Sequence, residues 1–500
     1  MWGLTSLKQE ISGPGLVSCF GKSELARLPA RGPRTLELAA AQEEAPHPSL
    51  CRGVHESLRK KLNSPADKPE VSMSLKSNSL LWLIFVGLAL VILCQANRNM
   101  PLLKDVPTVY LTVSSAPSTS GQDRLLEMNW DNIPRSDEGR INVYGEDPSL
   151  PSKEPLVSVH PNNTQGYLKT SVRFPVHIFT NSNLTSNCLG FWITYRLGDQ
   201  EVTKNCLRAR PHWMHESRST IGNLSLLDLM LPGTHNAGCY ASYDKHKDNI
   251  LTQYLFTQEE SIWNQLAYGI RYLDLRVAYV DHDFWITHSS FKTQLTVRDV
   301  IRQVKEFLKA TKEIVVMDFH RFVTGFHRRT PTTSRRHRDL IALLERELGE
   351  FMIPVHYTSG ALLEQLWDTD RRLYVGYADE RARTSSAYLF PAVKHLWGDV
   401  VHSEDLWQYL NETVCNPSRR RLISAMAQLT PTRTGALFNL YGGLRKMAEN
   451  VNRQVTRWFT HDWNQCANIV ATDFFLGNNI IELSIETNKR RPDDEEREWV

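Results

Sequence analysis

The chain has 500 residues, 41% of them hydrophobic, and a formal net charge of +3. That length exceeds one small domain and accommodates a barrel of about 250 residues plus a second module, and the apolar fraction excludes a wholly disordered chain. A charge this close to neutral argues against nucleic acid as the main partner. The absence of any C-x-x-C pair, P-loop or G-x-G-x-x-G leaves zinc, nucleotide and dinucleotide readings without support.

Residues 1–72 mix Pro, Ser, Gly and charge without a sustained apolar period, so disorder is expected there. Residues 73–96 contain the uninterrupted apolar run Leu80–Cys94, short for a membrane span and suited to a signal-peptide core. Met73 precedes it, Lys76 supplies the positive flank, and Cys94-Gln95-Ala96 offers a cleavage site. The expectation is a signal peptide with a mature start near Asn97, or, with translation from Met1, a signal anchor with Arg59, Lys60 and Lys61 on the cytoplasmic side. Either one delivers the rest of the chain to the secretory lumen or the extracellular face. Sequons at Asn162, Asn183, Asn223 and Asn411 all follow the run and agree with that side of the membrane.

Residues 97–212 read as short β-branched or alternating segments: 108–113, 140–144, 156–159 and 171–174, then a hairpin of 191–195 with 201–203. This pattern predicts an all-β sandwich. Cys188 and Cys206 flank the hairpin, so a disulfide across its open end is expected in an oxidising compartment. Cys239, Cys415 and Cys466 leave an odd count, and spacing does not tell which is free.

Residues 213–487 alternate strand and helix. Helices are expected over 259–268, over a 3.6-period face from Val297 to Leu308, and over 340–348. Buried strands are expected at 270–275, 314–319, 373–377, 436–440 and 468–473. Repeated units of this kind predict an α/β fold, a TIM-like (β/α) barrel preceded by the sandwich. Residues 488–500 are mostly charged and read as a solvated tail.

Three stretches carry the chemistry: Leu231–Gly238, Gly269–Arg276 and Phe284–Ser289. Each starts apolar, as a buried parallel strand would, and ends in ionisable residues, where parallel sheets place their sites. A phosphodiester is cleaved without metal if one imidazole takes a proton from the attacking hydroxyl, a second gives one to the leaving oxygen, and a guanidinium holds the phosphate charge. His235, His288 and Arg276 supply those groups, and Asp274, two residues from Arg276, projects from the same face of a strand.

The Pro-Gly-Thr-His-Asn around His235, the Trp-Ile-Thr-His ending at His288 and the Asp-x-Arg of Asp274 and Arg276 resemble the X-domain of phosphatidylinositol-specific phospholipase C, in its bacterial-like, X-domain-only branch. The resemblance implies a distorted TIM barrel in which one histidine is general base for the inositol 2-hydroxyl, the other is general acid, and each is held by an acidic partner. It implies a phospholipid substrate at a membrane surface, no nucleic acid, and no cofactor. Calcium-dependent members carry an acidic residue where Arg276 stands, so calcium is disfavoured and no metal is expected, although Asn236 is shared with the calcium enzymes.

Asp473 ends the last expected strand, which in a closed barrel lies beside the first, making it the candidate to orient His235. By the resemblance, His320, ending Ile314–His320 with Asp318 two residues before it, lines up with the strand end where relatives place a calcium ligand or a basic inositol-binding residue, and so is expected to bind substrate, as are Asn236 and Arg276. The rival readings are a non-catalytic scaffold that binds lipid or protein on the same barrel, and a phosphodiesterase for another phospholipid head group. Matched acid and base argue against the first, and Arg276 fits poorly with the carboxylate-magnesium site of the second.

Overall fold

The computed structural model describes residues 103–150, 154–289, 291–326, 330–416 and 420–491. The expectations for residues 1–72, the run Leu80–Cys94 and the tail after Arg491 lie outside these. Among the described residues no helix is long and apolar enough to cross a membrane. All of them fall within one compact unit.

The first seven strands are antiparallel and form two sheets. One has the order β1 (Thr108–Val113), β2 (Leu125–Asp131), β5 (Gly166–Arg173); the other runs β4 (Val157–Val159), β3 (Gly139–Tyr144), β6 (Cys188–Leu197), β7 (Gln200–Arg208). Val109, Leu111, Met128, Ile141, Val143 and Ile193 are buried between them, the inward half of each strand's alternation. Cys188 and Cys206 form the disulfide across the β6–β7 hairpin. Cys415 and Cys466 form a second, which leaves Cys239 as the buried free thiol among the described residues.

Eight of the remaining strands build a parallel sheet in the manner of a half-barrel. Its order is β14 (Leu389–Pro391), β13 (Leu373–Tyr377), β12 (Val315–Phe322), β9 (Tyr272–Val280), β8 (Leu231–Thr234), β17 (Ile469–Thr472), β16 (Ile423–Met426), β15 (Lys394–Leu396). The helices Val297–Ala310, Pro331–Leu348, Ser403–Thr413 and Leu444–Trp458 lie between these strands in the chain. Val300, Ile301, Val304, Phe307 and Leu308 form the buried face of the first. Thr330 caps the second and Pro331 takes its first position, so the helix begins nine residues before the apolar period that marks it in sequence.

Two expected strands differ. Phe284–Ser289 does not lie parallel: β10 (Asp283–His288) folds back antiparallel on β9 and continues into β11 (Phe291–Thr296). Only Asp281 and His282 separate β9 from β10, far too few for a parallel crossover, and both have positive φ, as a tight hairpin turn requires. Ala436–Leu440 is not a strand either. It is the end of a short helix, Arg433–Leu437, followed by a turn that leaves Leu437, Phe438 and Leu440 about two-thirds exposed. The strand of that region is β16.

The β-rich part is fastened to the parallel sheet by charge. Arg124 meets Glu259 and Glu260 at 2.9 Å each, Arg453 meets Glu127 at 2.6 Å, Lys169 meets Glu449 at 2.7 Å, and His461 meets Asp131 at 2.6 Å. The pairing at Glu259 and Glu260 matters for the site, because Gln258 beside them donates to the carbonyls of His235 (3.1 Å) and Thr472 (2.8 Å).

Candidate active site

β17 pairs with β8 in register, Thr472 opposite Thr234, so the residues that follow each strand emerge side by side. The buried imidazole of His235 consequently lies with Nδ1 2.7 Å from Asp473 Oδ1. On the other flank β9 sets Asp274 and Arg276 on one face, and Arg276 Nη2 lies 2.6 Å from His235 Nε2 and 3.3 Å from Asp274 Oδ2. A guanidinium only donates, so Nε2 accepts and the ring proton sits on Nδ1, donated to Asp473. That tautomer leaves the Nε2 lone pair facing the site.

Asp274 is fully buried and also accepts from the backbone N–H of Asn236 at 3.0 Å. Burial alone would raise its pKa. Arg276, then His395, His235 and His320, outweigh that and hold it well below the usual carboxylate range. Asn236 has φ of +45°, a left-handed conformation that Asn adopts more readily than most residues, and its side chain is buried.

His288 ends β10. Its Nδ1–H donates to the carbonyl of Leu255 at 2.7 Å, so the partner is a backbone carbonyl and not the acidic group the resemblance implies. A carbonyl cannot give a proton back, which makes Nε2 the titrating atom. Burial first, then Arg276 and His235, push its pKa down to about 4. Leu255 also lines a cavity of about 890 Å³, walled by Tyr240, Tyr243, Phe256 and Leu295 and by Arg445 and Lys446.

His320 lies apart from the Asp473 side, in a second cluster with Asp318 and His395. Nδ1 of His320 is 3.3 Å and Nε2 of His395 3.5 Å from Asp318 Oδ2, and Tyr272 OH donates to the same oxygen at 3.1 Å. Asp, His and His are donors that suit a transition ion. The two rings, however, are stacked with centroids 3.4 Å apart and planes 6° from parallel. An ion must lie in the plane of each imidazole at roughly 2.0–2.1 Å, and two such planes share no such point. This arrangement does not fit a shared metal. At Asp274 the Arg276 guanidinium lies 3.3 Å from Oδ2, while Oδ1 is buried without a hydrogen-bond partner among the described residues.

The structure thus gathers His235, Asp473, Asp274, Arg276 and Asn236 in direct contact, with His288 and His320 within electrostatic reach of Arg276 and Asp274. Sequence reasoning missed His395, Tyr272 and the buttress Gln258. β15 is three residues long and carries no periodic signal, and nothing marks Gln258 among the chain's amides. Tyr377, at the end of β13, is core: its hydroxyl meets His337 Nδ1 at 2.8 Å.

No family model matches the chain. Among curated proteins it is 25% identical over 316 residues to human PI-PLC X domain-containing protein 1, spanning 57% of this chain and 94% of that protein. It is 23% identical over 317 residues to PI-PLC X domain-containing protein 3 of Danio rerio, spanning 57% and 95%. These likenesses support a PI-PLC X-domain protein. Looser likenesses are to solved structures of phosphatidylinositol-specific phospholipase C, from Staphylococcus aureus (TM-score 0.41, 14% identity, 55% of this chain and 97% of that one) and Listeria monocytogenes (TM-score 0.39, 17% identity, 55% and 98%).

Proposed function

We propose that this chain is a phosphodiesterase that cleaves a phosphoinositide or glycosylphosphatidylinositol-type lipid on a TIM-like barrel, using the inositol 2-hydroxyl as nucleophile. The observation that carries this reading is His235, whose Nδ1–H is held by Asp473 while its Nε2 lone pair faces Arg276. When phosphate docks, Arg276 transfers its donors to it and Nε2 takes the proton of the 2-hydroxyl. The hydroxyl oxygen bonds to phosphorus, the bond to the glycerol oxygen breaks, and His288 Nε2–H protonates that oxygen. A cyclic inositol phosphate and a diacylglycerol result. His288 has a depressed pKa in the free chain, and the incoming phosphate anion supplies the charge that favours its protonated form.

The partner is a phospholipid at a membrane surface. Exposed Ile250, Leu251, Leu437, Phe438 and Leu440 support it, because the segments that carry them are tied together by Tyr254 OH donating to Asn439 Oδ1 at 3.0 Å. No cofactor or metal is required where Arg276 stands. A lumenal or extracellular location fits two disulfides and four exposed sequon asparagines, and the paired antiparallel sheets are read as an accessory sandwich. Incubating the purified chain with inositol-labelled phosphatidylinositol tests the function: the account expects cyclic inositol phosphate with and without chelator. No water-soluble label released under either condition would overturn it.

A further inference from the structure

The ladder between β12 and β9 slips at one point. Phe319 pairs with Leu275 and Arg321 with Arg276, leaving His320 as the extra residue of a bulge. Bulges re-aim a side chain, and they concentrate beside active sites. One layer below, Asp318 is in register with Asp274 on one side and Gly376 on the other. A side chain at Gly376 would collide with Asp318 Oδ1, so the glycine is what lets the carboxylate lie there. From β15 comes His395, laid face to face on His320.

The hydrogen bonds constrain the protons of this cluster. Tyr272 has one hydroxyl proton and donates it to Asp318, so its oxygen, 2.8 Å from His395 Nε2, accepts a proton from that ring. His395 thus carries Nε2–H, burial disfavours a second charge on it, and a single positive charge on the stack is better placed on His320, 3.3 Å from the Asp318 carboxylate. Two charged rings 3.4 Å apart would repel strongly in this buried setting.

We propose that His395 is a positioning residue that clamps the His320 imidazolium against Asp318, so that His320 and Arg276 together hold the inositol phosphate head group. The clamp sets head-group affinity, whereas His235 and His288 carry the proton transfers. The groups that face His320 are Asp318 on β12, Asp274 and Arg276 on β9, and His395 on β15. Burial opposes the charge on His320, Asp318 and Asp274 favour it, and the net direction is upward; burial drives His395 the other way. The affinity part rests on the phosphodiesterase reading, and the clamp itself does not.

The test uses the full chain with two substitutions that separate ring from hydrogen bond. His395→Phe keeps the stacked ring, and His395→Gln keeps a polar group near Tyr272 but loses the ring. His320 is followed by NMR of histidine-labelled protein, assigned with His320→Gln. His395→Gln is expected to move the His320 titration midpoint back towards the ordinary histidine value and to raise KM on phosphatidylinositol about tenfold, as losing one charge-assisted hydrogen bond would. The loss should fall on KM more than on kcat, and His395→Phe, which keeps the stacked ring, should move the His320 midpoint less than His395→Gln does. A midpoint unmoved in folded His395→Gln overturns the clamp. A moved midpoint in a chain with no phospholipase activity keeps the clamp and overturns the function reading instead.

Discussion

Arg276 Nη2 lies 2.6 Å from His235 Nε2, so the guanidinium rests on the lone pair that the base must use. The same group is 3.3 Å from Asp274 Oδ2. One positively charged side chain therefore covers the Nε2 lone pair in the free chain, and in the proposed mechanism it takes the place of a metal when phosphate is bound. Activity is accordingly expected to persist in excess EGTA, with added calcium giving less than about a twofold change. Complete loss on chelation, restored by calcium, would show that Asn236 and Asp274 make a cation site with Arg276 displaced.

The depressed pKa of the partly buried His288 is expected to make the fold sensitive to acid. Its folded-state pKa of about 4 lies below the ordinary 6.5, so between those values the unfolded chain binds a proton that the folded chain refuses. The contribution to stability is complete above about 6.5 and is lost as pH falls towards about 4. His288→Gln removes this titration. Urea midpoints measured at pH 7 and pH 4.5 should therefore differ less in the variant than in the parent chain, and an equal difference would place the acid sensitivity elsewhere.

How much of this was legible in the sequence follows from which contacts are local. Asp274 and Arg276 share a strand, so their common face could be read from spacing. Asp473 is 238 residues from His235, and it could be named only because the last strand of a barrel lies beside the first. Phe284–His288 looks like any buried strand, and what reverses it is the two-residue link to β9, a feature of chain length and not of hydrophobicity. Ala436–Leu440 misleads for the opposite reason, since its apolar side chains face solvent. His395 carried no signal, because its role depends on a bulge at His320 and on the missing side chain of Gly376.

Arg124 sits between Glu259 and Glu260 with all three side chains at most 5% exposed. Burial raises the pKa of Glu260, and Arg124 is the first group that opposes the shift. Arg124→Ala would leave that carboxylate without its cation; Glu259 retains Arg445. A destabilisation of about 3–5 kcal/mol is expected in urea unfolding. A loss below about 1 kcal/mol would mean that the β-rich part is not fastened to Gln258 and the site through this pair.

The lumenal expectation has a direct check. Asn162, Asn183, Asn223 and Asn411 are all exposed, so each is accessible to the glycosylation machinery. Peptide-N-glycosidase treatment of the chain made in secretory cells should lower its apparent mass. An unchanged mobility together with a cytosolic location would remove the secretory reading.

The division of labour between the two histidines is tested most directly by changing the leaving group. His288→Ala removes the donor to the glycerol oxygen and should cost about 10²–10⁴ in rate on phosphatidylinositol. On a nitrophenyl inositol phosphate, whose leaving group departs without a proton, most of that rate should return. His235→Ala should be slow on both substrates, since the 2-hydroxyl lacks its base whichever group departs. The account predicts a large ratio between substrates for His288→Ala and a ratio near that of the parent chain for His235→Ala. Equal losses for both variants on both substrates, or full activity in either variant, would contradict it.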